Sequence, residues 1–251
     1  MITVRLSGGL GNQLFQYAAA RRLALKHGTR VRLDTSAYGS WLSAPREADR
    51  PFELMSFALA DPIVPRGTEL AAMEARRLAL SALRHAGLYT SRRTYRHMNL
   101  EFDSRILDLP DGITLDGYFQ SEKFFADVKD EIRKEFVPRD AQLRKRLNER
   151  VAALRRGSRP LVSIHIRRGD YLRFKQGAMV EPPEKLREAM ALFADCDFLV
   201  VSDDLAWCRE HLRGDSVIYS PFESGLENLF AMTACDHNIV AGSTFGWWGA
   251  N

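Results

Sequence analysis

Four clusters of polar residues in this chain have the types and spacing that a binding or catalytic site needs. In His165-Ile166-Arg167-Arg168-Gly169-Asp170, a histidine, two guanidinium groups and a carboxylate fall within six positions. Arginine presents a planar fork of N–H donors that matches phosphate oxygens, and adjacent arginines can divide between ligand and scaffold. Gly8-Gly9-Leu10-Gly11-Asn12-Gln13 joins a glycine turn to two side-chain amides. Such a turn either lets backbone N–H groups approach a phosphate or sugar, or simply meets a need for positive φ. Asn12 and Gln13 suit sugar hydroxyls or a helix cap. In Ser202-Asp203-Asp204 the carboxylates can accept from guanine N–H groups or ribose hydroxyls, or cap a helix; Asp204 is read as the cap and Asp203 as the functional residue. Gly242-Ser243-Thr244-Phe245 places hydroxyls and turn N–H groups where a second phosphate cradle would sit.

Each cluster directly follows an apolar run of strand type: Ile2 to Leu6, Leu161 to Ile166, Phe198 to Ser202 and Asn238 to Ala241. In an open parallel sheet, ligands gather at the carboxyl ends of strands, so all four lie at the productive end. By strand alternation His165 and Arg167 share a face and Arg168 turns the other way. Asp195-Cys196-Asp197 has the D-x-D spelling of a metal-binding glycosyltransferase site, but it precedes its strand and is rejected. Helices are expected over Asn12 to His27, Thr68 to Ala86, Glu122 to Phe136, Asp140 to Arg156, Pro183 to Ala194, Leu205 to Leu212 and Leu226 to Ala234. Further strands are expected at Arg30 to Asp34, Ile113 to Phe119 and Val217 to Tyr219, and Ser36 to Gly67 reads as loop. The β-α alternation restarts after Gly157, which predicts two Rossmann-like α/β lobes, 1–157 and 158–251. Trp247 and Trp248 read as core aromatics.

With 251 residues, 45% hydrophobic and 27% charged, the chain is excluded from the disordered and low-complexity classes. A net charge of +4 is too mild for a dedicated nucleic-acid binder and fits an anionic small ligand. Cys196, Cys208 and Cys235 are odd in number and form no C-x-x-C pair, so they are expected to be reduced thiols rather than disulfides or a zinc site. No signal-peptide pattern or membrane-spanning run is present in the sequence, which predicts a cytoplasmic protein.

Gly8-Gly9-Leu10-Gly11-Asn12-Gln13-Leu14-Phe15-Gln16-Tyr17, His165 to Tyr171, and Ser243-Thr244-Phe245-Gly246-Trp247-Trp248-Gly249-Ala250, in this order, resemble the bacterial α-1,2-fucosyltransferases of glycosyltransferase family 11. Leu115 to Glu122 and Ser202-Asp203-Asp204 resemble further segments of that family, so the likeness covers essentially the whole chain. The resemblance implies a GT-B fold with two lobes facing across a cleft and a GDP-fucose donor held by the C-terminal lobe. It also implies transfer to the 2-hydroxyl of a terminal β-galactose with inversion, and no metal or other cofactor. It assigns His165, Arg167, Arg168, Asp203, Ser243, Thr244 and Phe245 to the donor, with Arg167 on the β-phosphate, Asp203 at guanine and Ser243-Thr244 at the diphosphate. Arg167 and Asp170 become the catalytic pair, and Gly11, Asn12 and Gln13 lie on the acceptor side of the cleft.

The chain departs from the family pattern at Asn228, where an acid is common, and at Gly242 and Gly246. Relatives also continue beyond the Trp-Trp-Gly-Ala stretch; if these 251 residues are the entire product, the closing helices of the C-terminal lobe are expected to be absent. A carboxylate base to take the acceptor proton is left unassigned among Asp34, Asp116, Glu122 and Asp170. The acceptor is expected to be a galactose-terminated glycan or glycolipid precursor, with peripheral contact at the inner membrane. The competing reading is a dinucleotide-dependent oxidoreductase built on Gly9-x-Gly11 and Asp34, against which Leu14 stands where the fingerprint needs a small residue.

Overall fold

The computed structural model describes residues 1–38, 51–86, 93–173 and 179–251. The chain divides into two compact units, Met1–Arg139 and Asp140–Asn251. The sequence-based boundary after Gly157 assigned the helix at Ala141–Ala152 to the first unit. That helix instead belongs to the second, where Arg150 reaches Glu227 at 3.0 Å and the Pro221 carbonyl at 3.1 Å.

The first unit is a four-stranded parallel sheet. Its strands are β1 (Ile2–Arg5), β2 (Val31–Asp34), β3 (Thr94–His97) and β4 (Thr114–Gly117), arranged in the order β2-β1-β4-β3. Helix α1 (Leu10–Lys26) links β1 to β2 and is buried on nearly every side, as its Leu, Phe and Ala content allows. It ends where Gly28 adopts φ +60°, a conformation that a side chain would oppose. Ile2, Val4, Leu33 and Leu115 are buried on one face of the sheet. The alternating positions, Thr3, Arg5, Arg32, Thr114 and Asp116, are polar and half-buried. Helix α2 (Gly67–His85) contributes Arg77, Leu78 and Ser81 to a cavity that Arg5 and Asp116 also line.

The expected helix over Glu122 to Phe136 is broken into two 3-10 turns, Glu122–Phe124 and Ala126–Val128, before α3 (Lys129–Glu135). Phe124 and Phe125 are both buried to 1% exposure, and Phe125 leaves helical geometry at φ −147°. The strand β3 was not foreseen, because Thr-Tyr-Arg-His carries no apolar run. Part of the loop expected from Ser36 to Gly67 lies outside the described residues.

The second unit carries another four-stranded parallel sheet, of β5 (Leu161–Ile166), β6 (Asp197–Ser202), β7 (Val217–Tyr219) and β8 (His237–Val240), ordered β7-β6-β5-β8. All six residues of β5 are buried, the pattern of a central parallel strand covered on both faces. Around the sheet lie α4 (Ala141–Ala152), α5 (Pro183–Ala191), α6 (Leu205–His211), α7 (Gly225–Thr233) and α8 (Thr244–Gly249). Their starts are set locally. Asp140 caps α4 at 2.8 Å, and Ser224 and Glu227 form a reciprocal capping box on α7. Asp195-Cys196-Asp197 leads into the amino end of β6, away from the strand tips.

Candidate functional site

In the second sheet the chain order reverses between β5 and β8, a topological switch point at which open α/β sheets bind ligands. The His165 to Asp170 segment and Gly242 to Phe245 are the loops that leave those two strands. Arg167 donates from Nε to Asp170 Oδ1 at 2.9 Å, and its Nη1 lies 3.1 Å from Asp203 Oδ2. The other oxygen of Asp203 accepts the backbone N–H of Arg168 at 2.9 Å, which fastens the β6 tip to the β5 tip. Arg168 turns the other way, as strand alternation predicts. Its Nε meets Asp204 at 3.2 Å, and its guanidinium stacks 3.8 Å from the Trp207 ring. Asp204 also accepts the Trp207 backbone N–H at 3.1 Å, so it is a helix cap and an ion-pair partner together.

His165 is buried, 5.1 Å from the Phe245 ring, and a Cβ on Gly246 would stand 2.9 Å from its Nδ1. Burial, with the Arg167 charge adding to it and Asp203 opposing, lowers its pKa to about 4 and keeps the imidazole neutral. His165 thus lies beneath the rim, its Nδ1 buried and without a hydrogen-bond partner among the described residues. Gly246 is the residue that lets α8 approach it. Ser243 precedes α8 in extended geometry. Tyr171 reaches over from the β5 loop to the Gly242 carbonyl at 3.1 Å. The Asn228 side chain accepts from the Ser220 hydroxyl at 2.5 Å and donates to the Phe222 and Ser224 carbonyls. Trp248 is buried as expected of a core aromatic, and its ring meets that of Trp247 edge-on at 4.8 Å.

In the first unit the amides that open α1 tie strand-end loops together. Gln13 is fully buried; its Nε2 donates to the Gly8 and Pro51 carbonyls at 3.2 and 2.9 Å, and its Oε1 accepts the Glu53 N–H at 3.0 Å. The expectation that Gln13 offers its amide to a sugar is therefore corrected: both ends are spent on the protein. Gln16, equally buried, holds Ser7 and the Gly117 carbonyl. Asn12 accepts from Gln120 at 2.9 Å and is half-buried, Gly11 is buried, and Gly8 takes φ +75° beneath the Asn12 side chain.

Asp34, the acid that the oxidoreductase reading required, is buried with Oδ2 3.5 Å from Arg5 Nε and Oδ1 accepting the Ser36 N–H at 3.1 Å. It faces a cavity of about 230 Å³ that Arg5, Arg77, Arg96 and Asp116 also line, at the β1/β4 switch point of the first sheet. Sequence reasoning missed the three arginines of this cavity. The available signal was a polar residue at every second position of β1 and β2, strands of a class that is usually apolar throughout. The four candidate bases are all ion-paired: Asp34 and Asp116 with Arg5, Glu122 with Lys129, and Asp170 with Arg167. Among the described residues no cluster of three His, Cys, Asp or Glu side chains could hold a metal, and no helix is long and apolar enough to cross a membrane.

The chain is 25% identical over its whole length to an α-1,2-colitosyltransferase of Escherichia coli, spanning 87% of that protein. It is 29% identical, again over its whole length, to the galactoside α-(1,2)-fucosyltransferase 2 of Oryctolagus cuniculus, of which it spans 66%. The crystal structure of the fucosyltransferase NodZ from Bradyrhizobium superposes with a TM-score of 0.55 at 16% identity, covering 99% of this chain and 92% of that one. The two parallel-sheet units are thus a GT-B type fold, and nothing in the comparisons supports an oxidoreductase. The model of glycosyl transferase family 11 matches residues 89–251, well over half of the chain, and the protein belongs to that family.

Proposed function

We propose that the protein transfers L-fucose from GDP-β-L-fucose to the 2-hydroxyl of a terminal β-galactose, with inversion and without a metal. The observation that carries this reading is the guanidinium of Arg167, held between Asp170 and Asp203 at the switch point of the second sheet, in a chain of family 11. In such a transfer the acceptor oxygen forms a bond to the anomeric carbon as the bond to the β-phosphate oxygen breaks. Negative charge grows on the departing GDP and positive charge on the sugar. A guanidinium fixed beside the diphosphate stabilises that separation more than it stabilises the bound donor. Arg167 fills this role, and Asp170 and Asp203 hold its orientation. Ser243 and Thr244 would meet the same diphosphate, and the second unit would hold the donor while the first receives the acceptor. No candidate base is free of an arginine or lysine, which favours an oxocarbenium-like path in which the acceptor hydroxyl gives up its proton late, to water or to an oxygen of the departing diphosphate.

The name of the E. coli relative supports a second donor, GDP-colitose, since colitose is fucose without its 3-hydroxyl. The proposal includes a cytoplasmic setting at the inner membrane face, to which the three free thiols are suited. The test is incubation with GDP-fucose or GDP-colitose and lactose in excess EDTA, with product linkage determined. A 2-O-fucosylated galactose supports the reading. Transfer that requires added metal overturns its metal-independent part, and a different linkage overturns its regiochemistry.

A further inference from the structure

We propose that the cavity over the first sheet is a subsite for an anionic group on the acceptor, a carboxylate or phosphate gripped side-on by Arg77. This rests on the reading of the first unit as the acceptor side. The parallel register puts Asp34, Arg5, Asp116 and Arg96 in one row across the carboxyl ends of the four strands. Their charges alternate, and the row is internally paired: Arg5 meets Asp34 at 3.5 Å and Asp116 at 2.9 Å, and Arg96 meets Asp116 at 2.9 Å. The row therefore carries no net charge. Arg77, from α2, adds one positive charge to the same cavity.

Arg77 Nε and Nη2 are both buried and meet no hydrogen-bond acceptor among the described residues. These two nitrogens form the edge of the guanidinium that makes a two-point contact with a carboxylate or phosphate. Arg77 as a whole is half-buried, but donors withdrawn from water and left unmatched are costly, and an incoming anion would satisfy them. The neighbouring hydroxyls of Ser7, Ser36 and Tyr118 would receive the sugar ring that bears the anion. A neutral glycan could meet the donors but not the charge.

The test compares three galactosyl acceptors: lactose, a disaccharide with glucuronic acid at its reducing end, and a disaccharide carried on an alkyl diphosphate. The second and third separate a sugar carboxylate from a lipid-linked phosphate as the source of the anion. For at least one of them kcat/KM with GDP-fucose is expected to exceed that for lactose by about tenfold or more, the worth of a charge-assisted two-point contact. In Arg77→Gln the ratio is expected to fall towards one, with thermal unfolding checked to show an intact fold. Equal kcat/KM for all three acceptors, or a preference that survives Arg77→Gln, overturns the proposal. Should no acceptor be fucosylated, the fucosyl reading is at fault, and calorimetric binding of the same compounds still tests the pocket. Tighter binding of a charged disaccharide that is lost in Arg77→Gln supports it, and equal affinities overturn it.

Discussion

Arg167 and Asp203 form an ion pair of 3.1 Å that joins the tips of two adjacent strands, while Asp203 also accepts the backbone N–H of Arg168. One carboxylate thus sets both a side chain and the main chain beside it. Arg167→Ala is expected to lower transfer about a hundred- to thousandfold with the fold intact, the usual consequence of losing a preorganised charge at the leaving group. Arg167→Lys should recover little, since an ammonium cannot span both carboxylates. Initial rates at saturating acceptor check this, and an undiminished rate in Arg167→Ala would remove that residue from the transition state.

His165 predicts a pH dependence of stability. Burial depresses its folded pKa to about 4, with the Arg167 charge contributing, whereas an unfolded histidine titrates near about 6.5. Between those values the unfolded chain binds more protons. Stability is therefore fully present above the unfolded pKa and is lost as pH falls towards the folded one, by about 3 kcal/mol in all. Urea unfolding at a series of pH values should give a shallower loss for His165→Gln than for the parent. Parallel curves would show that the imidazole does not carry the effect.

Gln16→Leu should destabilise the first unit by about 2–4 kcal/mol, because it strands the Ser7 N–H and deprives the Gly117 carbonyl of its donor inside the protein. Denaturant midpoints measure this. A loss near zero would mean that water replaces the amide.

Gly117→Ala tests the close pairing of β3 and β4. A Cβ there would press into the carbonyl oxygen of His97, its register partner, and backbone cannot swing aside as a side chain does. The expected loss is about 1–3 kcal/mol or more, read from the shift in thermal midpoint. An unchanged midpoint would show that the two strands part without penalty.

The donor-side rim was legible because β5 and β6 are mostly apolar, interrupted only by Ser163 and His165 in β5 and opened by Asp197 in β6, so the dense polar stretches after Ile166 and Val201 mark strand tips. The role of Gln13 was not. The same side chain faces a sugar or the interior according to where the segment at Pro51 to Glu53 runs, and no local pattern encodes that. The row of Asp34, Arg5, Asp116 and Arg96 was equally hidden, since it exists only once parallel register aligns four strands from distant parts of the chain. Arg77 was visible only as one charge on the basic face of a helix. The broken helix after Ser121 reflects tertiary burial of Phe124 and Phe125 overriding a helical composition.

Trp207 lies beneath the guanidinium of Arg168 and face to face with His211, ring centres 4.4 Å apart. An indole so placed reports on its neighbours through its emission. Any movement of Arg168 away from Asp204 changes the charge above the ring, so the rim carries its own optical gauge, readable without a label once Trp41, Trp247 and Trp248 are replaced by phenylalanine.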